Sequence, residues 1–347
     1  MPSPELEEHY RTIIPAIFDG RVIPFLGAGA NLCGRPVGQK WGIGQYLPKG
    51  DELADYLAEK AGCTPDEKKI SCPCPKCETM VSVPEKTQDL SRISQYISIT
   101  KGEGPLYDDL HELLAAKYPP TPLHQFLAGL PNFFRAKGKT PVPYQLIVTT
   151  NYDDVLECAF QKNKEPYDLV TYISEKIAEK IAEKKHQGSM FQHRKQNGDE
   201  CLIEKPNEYI NVSPQNGTVI LKIHGALNRS DPDQDNYVIT EDDYIDYLTR
   251  SDISTLIPKE LVGKMMRSHF LFLGYSLSDW NMRAIFHQIW GQQTRDYRSW
   301  AVQLNPSEFN KKSWSKRTVD ILDVSLEEYV ETLFERMQTF KPGGGKS

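Results

Sequence analysis

RVIPFLGAGAN, residues 21–31, sets Val22, Ile23, Phe25 and Leu26 directly before Gly27, Ala28 and Gly29. Apolar residues in that density form a short buried strand. The small residues after them strip side-chain bulk from the place where such a strand turns into a helix. A turn of this kind leaves backbone N–H groups uncovered, and a helix N-terminus adds partial positive charge, a combination that suits a pyrophosphate. The same turn also serves simply to end a core strand. The full G-x-G-x-x-G spacing is broken as well, because Leu32 stands where the third glycine would fall. The rest of the chain has to decide.

Four more apolar runs have the same form. YQLIVTTNYDDVLECAF carries a strand over Leu146 to Thr149, a polar tip at Asn151 and a helix from about Asp153. GTVILKIHGAL ends at His224, HFLFLGYSLSD passes Gly274 and Ser276, and RSWAVQLNPSE ends at Asn305. Helical patterns lie between them, over 3–19, 51–62, 88–99, 106–117 and 121–130. In the first, Ser3 can cap, and Leu6, Tyr10, Ile14 and Ile17 share a face. Buried strands alternating with helices predict an α/β, Rossmann-like, doubly wound and mostly parallel sheet. The expected layout is a core beginning over 1–62, a cysteine-rich insertion at 63–84 and a helical insertion at 85–140. The core resumes over 141–306, with a charged insertion at 162–213 and a flexible polar loop around HRKQNGDE; a helical extension and tail follow at 307–347. In such sheets ligands gather beyond the carboxyl ends of the strands. Gly27 to Asn31, Asn151 with Asp153, His224, Ser276 with Asp279, and Asn305 all fall there, which describes a cleft.

Composition narrows the classes. Lys and Arg number 41 against 47 Asp and Glu, a net charge of −6, so no nucleic-acid partner is expected. Nothing approaches the roughly 18 consecutive apolar residues of a membrane span. MPSPELEEHY is acidic and polar, unlike a secretory signal, and a cytoplasmic location is the expectation. Of seven cysteines, Cys33, Cys158 and Cys201 are scattered. Cys63, Cys72, Cys74 and Cys77 cluster in AGCTPDEKKISCPCPKCETM, and the C-x-x-C pair 74/77 has the spacing that grips a tetrahedral ion. A closed structural zinc site is expected, with reduced thiols or a redox patch as alternatives.

FLGAGAN, TTNYDDVLE, KIHGAL, FLGYSLSD and VQLNPSE resemble, in order, the blocks of the sirtuin-like NAD-binding fold over about residues 20–306. The chain looks most like the bacterial sirtuin-like domains of antiphage defence systems, which consume NAD. That resemblance implies an NAD glycohydrolase releasing nicotinamide and ADP-ribose, with Asn151 and His224 catalytic. It further implies that Gly27, Ala28, Gly29 and Asn31 line the phosphates and adjacent ribose. Asp153 would hold the nicotinamide ribose with Asn151, and Gly274, Ser276 and Asn305 would contact the adenosine half. The alternatives are an NAD-dependent protein deacylase and a non-catalytic NAD or ADP-ribose sensor. Deacylases of this fold carry a four-cysteine zinc ribbon after the His-Gly block, whereas no cysteine follows Cys201 here. No sensor domain is evident, so restraint is expected from homo-oligomerisation or a separate partner, an ATPase or a nucleic-acid-guided protein. The acidic segment 228–246 beside His224 is the expected gate, with 185–200 second.

Overall fold

The first strand, β1 (Val22–Leu26), is buried along its whole length. Its alternate side chains enter opposite faces: Val22 and Leu26 join one apolar cluster, Ile23 and Phe25 another. A strand buried on both sides belongs inside a parallel sheet. In the computed structural model, which describes residues 3–62, 67–71, 80–84, 89–182, 188–249, 253–277 and 297–341, this is where β1 lies.

The remaining strands are β2 (Glu67–Ser71), β3 (Met80–Pro84), β4 (Leu146–Thr149), β5 (Tyr167–Ile173), β6 (Met190–Arg194), β7 (Glu200–Ile203) and β8 (Thr218–Lys222). They continue with β9 (Gly225–Ala226), β10 (Asn236–Tyr237), β11 (His269–Leu273), β12 (Ser299–Gln303) and β13 (Val319–Asp323). Nine of them form one sheet in the order β13-β12-β11-β1-β4-β8-β5-β6-β7. All its pairings from β13 through to β5 are parallel, and β6 and β7 add antiparallel. After β1 the chain moves to one side through β4 and β8, then returns to place β11 on the other side. That reversal is the switch point at which open α/β sheets bind ligands.

Helices cover both faces. Pro4–Phe18, Pro122–Ala136, Val155–Lys162 and Leu326–Thr339 deliver Ile13, Leu127, Leu156 and Leu333 to one face. Glu241–Thr249, Lys259–Met266 and Glu308–Ser315 deliver Tyr247, Leu261 and Trp314 to the other. The first helix starts as its sequence requires, with the Ser3 hydroxyl accepting from Leu6 N–H at 3.3 Å. Gly50–Ala61, Leu90–Lys101 and Glu103–Leu114 pack among themselves through Leu57, Ile97 and Leu110 as a separate lobe.

The expectations need three corrections. The polar stretch around HRKQNGDE is a hairpin, β6–β7, and not a loop; Met190, Phe191 and Ile203 are buried, and Asn197-Gly198 makes the turn, with Gly198 at φ +90°. The segment 162–213 therefore supplies sheet strands, β5 among them. The extension after 306, expected to be helical, also contributes the edge strand β13. Like Asp279, the cysteine cluster, Cys63, Cys72, Cys74 and Cys77, lies outside the described residues. Next to it β2 and β3 pair antiparallel, with Ser71 opposite Met80. Among the described residues no group of three or more His, Cys, Asp or Glu could hold a metal. None of their helices is long and apolar enough to cross a membrane.

Candidate active site

Strand register brings the tips level. Leu26 stands opposite both Leu273 and Thr149, and Thr149 opposite Lys222. The next residues out are therefore Gly27, Gly274, Thr150 and Ile223.

Gly27 and Gly274 meet backbone to backbone. Gly27 N–H donates to Leu273 O at 3.2 Å and Gly29 N–H to Gly274 O at 2.8 Å. A Cβ on Gly29 would lie 2.7 Å from Gly274 O, and one on Gly274 would lie 2.0 Å from Ala30 N. Gly274 also has φ +65°, in the left-handed region. The glycines are thus required by the approach of two strand ends. This corrects the expected row of uncovered N–H groups: only Ala28, between the two, stays out of these bonds. The turn also runs into a short 3₁₀ helix, Ala28–Leu32, and not an α-helix.

The facing wall is made of side chains. Asn151 N–H is held by Thr149 Oγ1 at 3.0 Å, and its Nδ2 donates to Gly27 O at 3.2 Å. The helix that follows has Asp154 at its N-cap, and Asp153 Oδ1 accepts from Val155 N–H at 3.1 Å, so capping does not account for Asn151. Asp153 Oδ2 accepts from Asn31 Nδ2 at 2.9 Å. Asn31 Oδ1, buried, has no hydrogen-bond partner. His224, just past β8, is 3% exposed, with the rings of Tyr244 and Tyr247 edge-on at 5.5 and 5.4 Å. Its Nε2 likewise has no partner. Burial pushes the His224 imidazole down to about 3, so it is neutral at physiological pH.

These residues surround a cavity of about 500 Å³, within the ~300–1,000 Å³ usual for small-molecule sites. Ala28, Gly29, Asn31, Asn151, Asp153, His224, Gly274 and Ser276 all line it. Leu47, Leu53, Leu90 and Leu114 line it too, and all but Leu90 belong to the core of the helical lobe. Gly27 sits behind the lining and reaches it through Asn151. Asn305 is not brought in: it is exposed at φ +52°, and its N–H donates to Asp323 Oδ1 at 2.9 Å, toward β13. A second cavity, about 570 Å³, contains none of the candidate residues.

The sequence reading missed Lys222 and Glu157. Lys222 is 1% exposed, and its Nζ lies 2.7 Å from Glu157 Oε1, itself on a residue 3% exposed. The same ammonium donates to the backbone carbonyls of Asp153 and Tyr152. A lysine inside the apolar run TVILKI was the available signal, since buried lysines are rare unless paired. The expected gate is ordered: β9 pairs with β10, Asn228 N–H donates to Asp235 Oδ1 at 2.6 Å, and Val238 N–H to His224 O at 2.9 Å.

A mostly parallel doubly wound sheet with polar residues gathered at its switch point is the architecture of nucleotide-binding α/β proteins. The SIR2-like domain model matches residues 145–322, just over half of the 347, and the chain belongs to that family. It is similar to NAD(+) hydrolase ThsA of Acinetobacter baumannii (strain 532279), 28% identical over 207 residues. The match takes in 59% of this chain and 32% of that protein, so the chain spans about a third of the relative's length. The sirtuin-like resemblance is borne out at the level of family.

Proposed function

We propose that the chain hydrolyses NAD at the bond between nicotinamide and ribose. The observation that carries this reading is a pair of buried polar atoms without partners, Asn31 Oδ1 and His224 Nε2, in residues lining one cavity. Such atoms cost free energy unless something bonds them, and the hydroxyls of a ribose are suited to do so. The similarity to an NAD(+) hydrolase supports the choice of substrate.

The chemistry needs little from the protein's acids. As the C–N bond breaks, its electron pair returns to the pyridinium ring and nicotinamide leaves neutral. Positive charge builds on the ribose, as in glycoside cleavage. Water adds to that carbon and gives up a proton. Asn151 would orient the water and a ribose hydroxyl without bringing a charge that must be desolvated. His224, neutral, would accept a hydrogen bond from a ribose hydroxyl and hold the sugar in place, and the proton that is released passes to solvent water. Ala28, Gly29 and Asn31 would lie along the phosphates and adjacent ribose, with Gly27 supporting Asn151. Asp153 would fix Asn31, and Gly274 and Ser276 would meet the adenosine half.

The proposed layout is 1–62, 63–84, 85–140, 141–306 and 307–347, with sheet strands in 162–213 and in the last segment. Cys63, Cys72, Cys74 and Cys77 hold one structural zinc. The chain acts as an NAD-depleting effector in antiphage defence, restrained through a homo-oligomer or a partner protein. In the test, purified protein receives NAD and no acyl peptide. Nicotinamide and ADP-ribose should appear in equal amounts; turnover that requires an acyl peptide, or none at all, overturns the proposal.

A further inference from the structure

We infer that Lys222 and Glu157 form a buried post that sets the backbone of residues 150–154, making Lys222 a positioning residue for Asn151 and Asp153. Lys222 ends β8 two residues before His224, and its register partner on β4 is Thr149. Its ammonium therefore lies just inside the point where the chain leaves β4 to carry Asn151. There it donates to Asp153 O and, at 3.4 Å, to Tyr152 O, while Glu157 Oε1 accepts at 2.7 Å. With the carbonyls of Tyr152 and Asp153 held by the ammonium, the side chains of Asn151 and Asp153 are placed for their contacts with Gly27 and Asn31.

Glu157 has a second task. A buried ammonium beneath a site where positive charge develops on the sugar would oppose the reaction, and Glu157 neutralises it. Among the described residues, the other charged or titratable groups facing Lys222 include Asp153 and Asp154 on the loop and His124 on helix Pro122–Ala136, which burial, aided by Lys222, keeps neutral; Asp154 is itself paired with Arg229. Among the described residues, Glu157 is the one carboxylate bonded directly to the ammonium.

The kinetic arm of the test rests on the proposed NAD cleavage; the exchange arm does not. The double variant Lys222→Met/Glu157→Gln removes the post without stranding a charge, so the fold should survive. Its kcat for NAD should fall about 100-fold, the usual cost of an ångström of misplacement, with KM changed less than about threefold. Amide exchange in the peptide covering 148–156 should speed up while that of β1 stays at the parent rate. A double variant with kcat within threefold of the parent, or with unchanged exchange at 148–156, overturns the inference. If the parent itself fails to cleave NAD, the proposed function fails, and the exchange result still decides the role of Lys222. Glu157→Gln alone separates charge from position. Its kcat should fall below that of the double variant, because the ammonium is then left unneutralised beneath the sugar. A kcat for Glu157→Gln at or above the double variant's contradicts the charge role.

Discussion

The two walls of the cavity are built on opposite principles. On the β1–β11 side the surface is backbone: Gly29 and Gly274 are in contact through main-chain atoms, and no side chain fits between them. On the β4–β8 side the surface is side chains, Asn151, Asp153 and His224, with Lys222 and Glu157 beneath. A backbone wall can shape a site but has no titratable group. A side-chain wall can react, but its polar groups must be oriented. The first wall should therefore answer to added volume and the second to altered chemistry.

The largest effect is expected on the backbone wall. Gly274→Ala puts a methyl 2.0 Å from Ala30 N at a backbone conformation costing about 1–3 kcal/mol by itself. Melting temperature, NAD binding and turnover should all fall together. A variant with parental stability and affinity would show that the strand ends have room to part. On the other wall, His224→Ala should lower kcat by roughly 10² to 10⁴ and leave the melting temperature close to the parent's. Parental turnover in that variant would remove His224 from the reaction.

Acid should act only on the side-chain wall. His224 is held down to about 3 by burial, so it is neutral when folded and protonates below about pH 6.5 when unfolded. Its depressed value means that stability is complete above pH 6.5 and is lost as pH falls toward 3. The loss is up to about 1.4 kcal/mol per pH unit. Denaturant titrations at pH 6.5, 5.5 and 4.5 should show His224→Asn losing stability less steeply than the parent, by that increment. Parallel slopes would mean that the imidazole is solvated. The smallest effect on the cleft is expected from Cys74→Ser. It should lose the proposed zinc, read by elemental analysis against about one zinc per parent chain, and still bind NAD. Metal-free parent protein, purified under reducing conditions, would contradict the site.

The sequence discloses the walls unequally, and for physical reasons. Strand tips are legible because a run such as LIVT or VILK has to be buried, and whatever polar residue ends it must lie at the sheet edge. That places Asn151 and His224 beside the glycine turn. Lys222 is not legible in the same way, since its partner Glu157 belongs to a helix that meets it only after folding. The β6–β7 hairpin is hidden behind its charges, although Asn197-Gly198 is a turn signal in its own right. Asn305 shows the opposite error. A strand end fixes the edge of the sheet but not the direction in which the chain leaves, and this turn is drawn outward by Asp323. The glycines are found for a partial reason, because the contact with Gly274 joins strands that are far apart in sequence.

The central claim, that one wall shapes and the other reacts, is tested most directly by Asn151→Ala. Binding of NAD to this variant, followed by calorimetry, should match the parent within about threefold, with nicotinamide release reduced by at least about 10². Release at the parental rate, or loss of binding in a folded protein, would contradict it.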